Sequence, residues 1–288
     1  MKISEVITKL AQYHMAGGFF NPNHTRDHVL YGDPEQECTG IVTTCWASID
    51  VIKATAKLGY NMIICHEALF WNHGDQTDWL QDNQTYLEKK ALLDQYHITI
   101  WRDHDHIHSG IPIGNGKYAD GIMYGLAAEM GWVPYLTDIT NPLNDPDLAK
   151  NPAPIVLTMK VPTTTASKFG KDMVEKLHLN GAKLLGSPDT KVENVEVILH
   201  VVGDAKGYIT HADKSNVDLM ITLELIDFTL AQYVRDASQA GKNKALLTVG
   251  HFNLEEPGMK YMQTYLGDAL GQKVPSKFIK SGDMYTYL

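Results

Sequence analysis

A chain of 288 residues with 44% apolar and 20% charged residues has the balance of a globular protein, not that of a disordered segment or a coiled coil. Its net charge of -9 disfavours nucleic acid and anionic membrane as partners, since both select clustered Lys and Arg. Only three cysteines occur, Cys38, Cys45 and Cys65, which argues against a disulfide framework or a Cys-rich zinc module and points to a reduced, cytoplasmic compartment.

Ile3, Val6, Ile7 and Leu10 recur at helical spacing, so the N-terminus reads as an amphipathic helix, unlike a signal-peptide core. No run approaches the ~20 apolar residues that a membrane-spanning helix needs. Ile41 to Trp46 is β-like; Ser48 caps a helix carrying Val51, Ile52, Ala54 and Leu58 that stops at Gly59. Residues 61–65 form a short buried strand. A helix over 84–96, a strand over 98–101 and a helix over 121–130 repeat the same order. From 133 to 154 the pattern breaks, with Pro134, Pro142, Pro146, Pro152 and Pro154 among Asn and Asp, the composition of a connector. The domain boundary is placed there, giving an N-terminal domain over 1–150 and a C-terminal domain over 151–288. Beyond it the spacing predicts strands over 155–161, 195–202, 217–222 and 245–249, helices over 165–177 and 229–240, and a tight loop from Gly203 to Gly207. Helices alternating with strands imply an α/β fold in two domains, with mainly parallel or mixed sheets flanked by helices.

Three apolar runs deliver chemistry at their ends. The strand at 61–65 leads into His66-Glu67, the strand at 98–101 into His104-Asp105-His106-Ile107-His108, and the strand at 245–249 into His251 and Glu255. Ligands of open α/β sheets gather outside the carboxyl ends of the strands, so these donors suggest one metal site, built from segments far apart in sequence and expected between the two domains. Alternate residues of an extended segment face one way, so His104, His106 and His108 are expected to line one wall of a cavity. A turn into a helix at Glu256-Pro257, with Pro257 in the first helical turn, would bring His251 and Glu255 together. Taken alone, Glu255 or Glu256 would equally serve to satisfy a helix N-terminus.

Other features read as ordinary structure. A zincin motif would need a histidine where Phe70 stands, and His73 reads as a loop residue. His24 and His28 around Asp27 read as a solvated loop, and Phe19, Phe20, Tyr31, Trp79 and Tyr285 as core or subunit contacts. Gly114-Asn115-Gly116-Lys117 reads as a turn because it lacks Walker A spacing. Lys117 and Lys206 would contact a phosphorylated ligand only if one binds.

The chain resembles the Nif-three-like dinuclear-metal proteins, also known as GTP cyclohydrolase I type 2 homologues. Lys53 to Trp71 is similar to that family's "DLIITHHPLFF" segment, and residues 250–266 to its terminal "GHYxxExxGVxxLxxxL". Asp218 to Leu225, "DLMITLEL", is similar to its "DVYITGDL", and residues 188–204 to its second-domain strand and glycine loop. Glu67 stands where the family has a second histidine, and His108 where "AHTNLD" has its aspartate. The two changes offset each other, keeping three imidazoles and two carboxylates. The resemblance thus implies two divalent transition-metal ions per chain, zinc, iron or manganese, held by His66, Glu67, His108, His251 and Glu255. Glu256 and His104 are then the candidates for moving protons. It further implies a homohexamer and a metal-dependent hydrolase acting on a small nucleotide-like or heterocyclic substrate. The competing expectations are a metal-binding scaffold without turnover and an interaction protein with incidental histidines.

Overall fold

The computed structural model describes residues 1–15, 25–139, 153–203 and 205–288. Its first elements are α1 (Ile3–Met15), β1 (Val29–Tyr31), β2 (Ile41–Thr44), α2 (Ile49–Lys57), β3 (Met62–Cys65), α3 (Gln84–Tyr96), β4 (Thr99–Arg102), α4 (Asp105–Ser109), β5 (Ile111–Gly114), β6 (Lys117–Ala119) and α5 (Gly121–Met130). These are followed by β7 (Leu136–Ile139), β8 (Ile155–Thr165), α6 (Ala166–Lys176), β9 (Lys183–Gly186), β10 (Lys191–Ile198), α7 (Lys206–Lys214), β11 (Leu219–Thr222), α8 (Gln232–Gln239), β12 (Ala245–Thr248), α9 (His251–Leu270) and β13 (Ser276–Phe278). They fall into two compact units, residues 1–125 with 258–281 and residues 126–257 with 282–288. Contacts therefore do not divide the chain at the single cut expected between residues 150 and 151. One reason is that β13 pairs in parallel with β2 and carries C-terminal residues back into the first sheet.

The first unit holds a five-stranded sheet in the order β1-β4-β3-β2-β13. Its strands are parallel except for β1, which runs antiparallel to β4. Every residue of β2, β3 and β4 is buried, the pattern of central parallel strands covered on both faces. Ser48 Oγ accepts the Val51 N–H at 3.2 Å and starts α2, and Asn83 Oδ1 accepts the Tyr86 N–H at 2.9 Å and starts α3. Val51, Ile52 and Leu93 from these helices pack with Val42, Ile63 and Ile100 of the sheet in one apolar core. Each such buried aliphatic side chain contributes roughly 1.5–3 kcal/mol. The turn read at 114–117 joins β5 to β6, with Asn115 and Gly116 at φ +53° and +70°.

In the second unit a six-stranded sheet runs β7-β8-β10-β11-β12-β9, with β10, β11 and β12 mutually parallel at its centre. Thr165 Oγ1 accepts the Lys168 N–H at 3.3 Å and caps α6. Met220, Leu230, Val234 and Leu246 are among the residues of this unit's core.

Several local expectations are corrected. Residues 136–139 form a strand instead of connector, while the rest of the proline-rich stretch, 140–152, lies outside the described residues, as do Phe19, Phe20 and His24. The helix expected from about 229 begins as a π-helical turn over Asp227–Ala231, kinked where Thr229 adopts φ -119° and ψ -127°, and continues as α8 from Gln232. Helix α7 begins inside the expected 203–207 loop, of which Asp204 is not described. Helix α9 starts at His251, so Pro257 lies within it and removes one ladder hydrogen bond instead of opening the helix. Gly250, at φ +99°, makes the turn that permits this earlier start.

Candidate metal centre

The donors of the first unit leave the carboxyl ends of β3 and β4, which are parallel neighbours. His66 follows β3 directly and is fully buried, and its Nδ1 lies 3.1 Å from the Asp103 carbonyl oxygen. His104 follows β4 by two residues and stacks on His66, with ring centroids 4.6 Å apart and planes 13° from parallel. His108 meets both rings edge-on, at centroid distances of 4.9 Å. Each of the three imidazoles offers a nitrogen within 4.8 Å of those of the others.

An acceptor stands behind every one of these rings. The Asp103 carbonyl serves His66, Asp105 Oδ1 lies 2.8 Å from His104 Nδ1, and Asp120 Oδ2 lies 2.7 Å from His108 Nδ1. Such acceptors place the ring proton on Nδ1 and the lone pair on Nε2, the arrangement found behind metal-ligating histidines. Burial, then the His66 and His108 rings, push the His104 imidazole down to about 4, so it is neutral and able to ligate at ordinary pH. Burial opposes ionisation of Asp105, but hydrogen bonds from His104 and from the Arg26 N–H hold its carboxyl below the usual range. Asp120 Oδ1 also accepts the Ile122 and Met123 N–H groups at 2.9 and 3.0 Å, tying the His108 acceptor to the first turn of α5.

The wall of alternating histidines is not formed, because residues 105–109 are helical. Asp27, expected in a solvated loop, is buried, and its Oδ1 accepts the N–H groups of His104 and Asp105 at 2.8 Å. Its Oδ2 accepts the His106 N–H at 2.7 Å and lies 2.5 Å from His106 Nδ1. This carboxylate closes the start of α4, so His104 and His108 share one helical face while His106 points to Asp27. Asp27, Asp103 and His106 make a further group with metal-ligand spacing.

Glu67 is held by Arg102, whose Nη2 lies 3.2 Å from its Oε2. The fully buried Arg102 also donates to the carbonyls of His66 and His73, at 3.1 and 2.9 Å, and to Asp75 Oδ2 at 3.2 Å. Asp75 Oδ1 in turn accepts the Leu69 N–H at 2.8 Å. One guanidinium therefore fixes the loop that carries His66 and Glu67, and His73 has its expected loop position.

In the second unit the same construction recurs. His200, Glu224 and His251 follow β10, β11 and β12, and Glu224 hydrogen-bonds the Nδ1 atoms of both histidines. Burial alone would raise the Glu224 carboxyl, but the hydrogen bonds from His200 and His251 outweigh it and hold the group down to about 2. His251 Nε2 lies 3.0 Å from Glu255 Oε2, one helical turn along α9, so this predicted pair is brought together. Glu256 is buried at the next position.

Sequence reading missed Arg102, Asp120, His200 and Glu224. Asp120 carried a signal, since an Asp before an apolar helical run is a capping residue. Glu224 and His200 carried one too, as polar residues just past apolar strands. Nothing local marks Arg102.

The fold agrees with the comparisons. The family model described as Duf34/NIF3 (NGG1p interacting factor 3) matches residues 1–283, and the chain belongs to this family. Among solved structures, Staphylococcus aureus protein SA1388 is similar at a TM-score of 0.69 with 19% identity, over 100% of this chain and 99% of that one. A Bacillus cereus protein related to NIF3 reaches a TM-score of 0.69 with 14% identity over 100% and 99% of the two chains. Reduced HcgD from Methanocaldococcus jannaschii reaches 0.63 with 13% identity over 96% and 97%. At these identities the structures establish the fold. No curated protein sequence matches. Several His/Asp/Glu groups thus have the spacing to bind metal, and no helix among the described residues is long and apolar enough to cross a membrane.

Proposed function

We propose that this chain is a dinuclear metal-binding protein and a metal-dependent hydrolase of a small nucleotide-like or heterocyclic substrate. The observation that carries the reading is the set of three imidazoles, His66, His104 and His108, each with Nδ1 committed to an acceptor. In the proposal they and Glu67 serve, with His251 and Glu255, two divalent transition-metal ions per chain. Nitrogen and oxygen donors without thiolate suit zinc, iron or manganese, so the residues present fit the group. When bound, such ions polarise an electrophile and make water a nucleophile at neutral pH.

The residues' own part is to hold and to move protons. Asp103, Asp105 and Asp120 keep the three rings in the Nδ1–H form, and Arg102 orients Glu67. Glu256, adjacent to Glu255 on α9, is the candidate general base, provided it comes within hydrogen-bond reach of the attacking water. His104, the other candidate for that role, offers a nitrogen within 4.8 Å of those of His66 and His108, so in the proposal it is a ligand. The second reading is a metal-binding scaffold without turnover, because the family match names no reaction. Hexameric assembly in the cytoplasm belongs to the same proposal and is tested by light scattering of the purified protein.

The discriminating experiment assays metal-loaded protein against a panel of nucleotides and heterocycles, beside Glu255→Gln and Glu256→Gln. Turnover lost in both variants supports the hydrolase; metal bound without turnover supports the scaffold. Metal content unchanged in His66→Ala, His251→Ala and Glu255→Ala would remove both.

A further inference from the structure

We propose that His200, Glu224 and His251 form a separate, solvent-facing site for a divalent transition-metal ion. The group belongs wholly to the second unit. Its residues follow three adjacent parallel strands at equivalent places, His200 and Glu224 two residues past β10 and β11 and His251 three past β12. Carboxyl ends of neighbouring parallel strands are where such folds collect ligands. The three side chains each place a donor atom within 4.8 Å of the others, and the two rings have centroids 5.0 Å apart.

Two imidazoles and one carboxylate, with the remaining positions left to water, are the donor set of catalytic zinc sites, not of structural ones. Exposure agrees, since the side chains of His200, Glu224 and His251 are 45%, 38% and 21% accessible. A cation therefore reaches the group from solvent without opening the core.

Proton placement allows the exchange. With no cation bound, Glu224 accepts both Nδ1–H groups. A cation held by Glu224 and both Nδ1 atoms takes the place of those protons, and each ring then carries its proton on Nε2. His200 presents Nε2–H to water, and His251 presents it to Glu255 Oε2, 3.0 Å away. Ligation of His251 through Nδ1 here excludes its ligation through Nε2 in the dinuclear reading, with which this proposal shares His251 as a ligand and Glu255 as that ring's hydrogen-bond acceptor. The two occupancies compete at one ring, so the site is tested with and without the buried cluster.

The test titrates Zn2+ into chelator-stripped, full-length protein as wild type, His200→Ala, His66→Ala and the double variant. His200→Ala is expected to remove about one equivalent of the weaker Zn2+ class, or to weaken it at least about tenfold, in both backgrounds. His66→Ala is expected to retain that class. Titrations of His200→Ala superimposable on those of its parents overturn the site and leave the dinuclear reading standing. An unchanged tight class in His66→Ala overturns the dinuclear reading and leaves this site standing. Should the alanine variant misfold, His200→Gln repeats the comparison. Zn2+-soaked His66→Ala crystals without an anomalous peak between His200 Nδ1 and Glu224 overturn the proposal independently.

Discussion

Arg102 shows how much of the candidate centre depends on one side chain that ligates nothing. It is fully buried and joins Glu67, Asp75 and two loop carbonyls. Arg102→Met keeps the volume but leaves two carboxylates without their cation, and is expected to lower stability by about 3–5 kcal/mol. A urea midpoint within error of wild type would show that the guanidinium is not the organiser. Asp120→Asn is a gentler probe. The Oδ1 cap of α5 survives, but the amide now donates towards His108 Nδ1, which turns the ring's proton to Nε2. Metal affinity is expected to fall about 10- to 100-fold with thermal stability nearly unchanged, as read by calorimetric titration and a melt of the same sample. His66, Glu67, His251 and Glu255 were legible in the sequence because each follows an apolar run or a helical spacing. Arg102 and Asp27 were not, since their partners lie 27 to 36 and 77 to 79 residues away and only the folded chain selects them.

At the scale of elements, periodicity located α2, α3 and the core strands well, because buried parallel strands are continuous apolar runs and the helices carry side-chain caps. It failed at α4 and at the start of α9. At α4 a distant carboxylate supplies the cap, overriding the extended reading of alternating histidines. At α9 Gly250 turns the chain seven residues before the proline that was taken as the helix start. Close packing adds constraints invisible in the sequence. A Cβ on Gly258 of α9 would lie 2.5 Å from the Ile122 Cα of α5. Helix α3 carries a second one, Lys89, which is 1% exposed and donates to the Leu69 carbonyl at 2.6 Å. Its ammonium lies 5.2 to 5.9 Å from the rings of Trp46, Phe70 and Trp71. Burial pushes Lys89 down to about 8 from 10.5, so between those values the folded state binds fewer protons than the unfolded state. Stability is therefore expected to rise with pH across that window, and the burial penalty on the charged form, about 3 kcal/mol, applies in full only below it. Lys89→Met removes this slope. Urea midpoints at about pH 7 and about pH 10 should show wild type gaining on the variant at the higher pH, and parallel shifts would refute the assignment.

For the whole molecule, both units place imidazoles and carboxylates at the ends of neighbouring parallel strands, β3 and β4 in one and β10, β11 and β12 in the other. Family membership fits this pattern without naming a reaction, because one fold hosts many chemistries and the site alone carries the functional argument. The central claim is that the acceptor-backed imidazoles of the first unit hold metal. Anomalous-scattering maps collected across the zinc, iron and manganese edges, from crystals grown with metal-supplemented protein, test it most directly. The account predicts a peak about 2.0–2.1 Å from the Nε2 atoms of His66, His104 and His108. Maps with no peak within coordination distance of any of the three would contradict it.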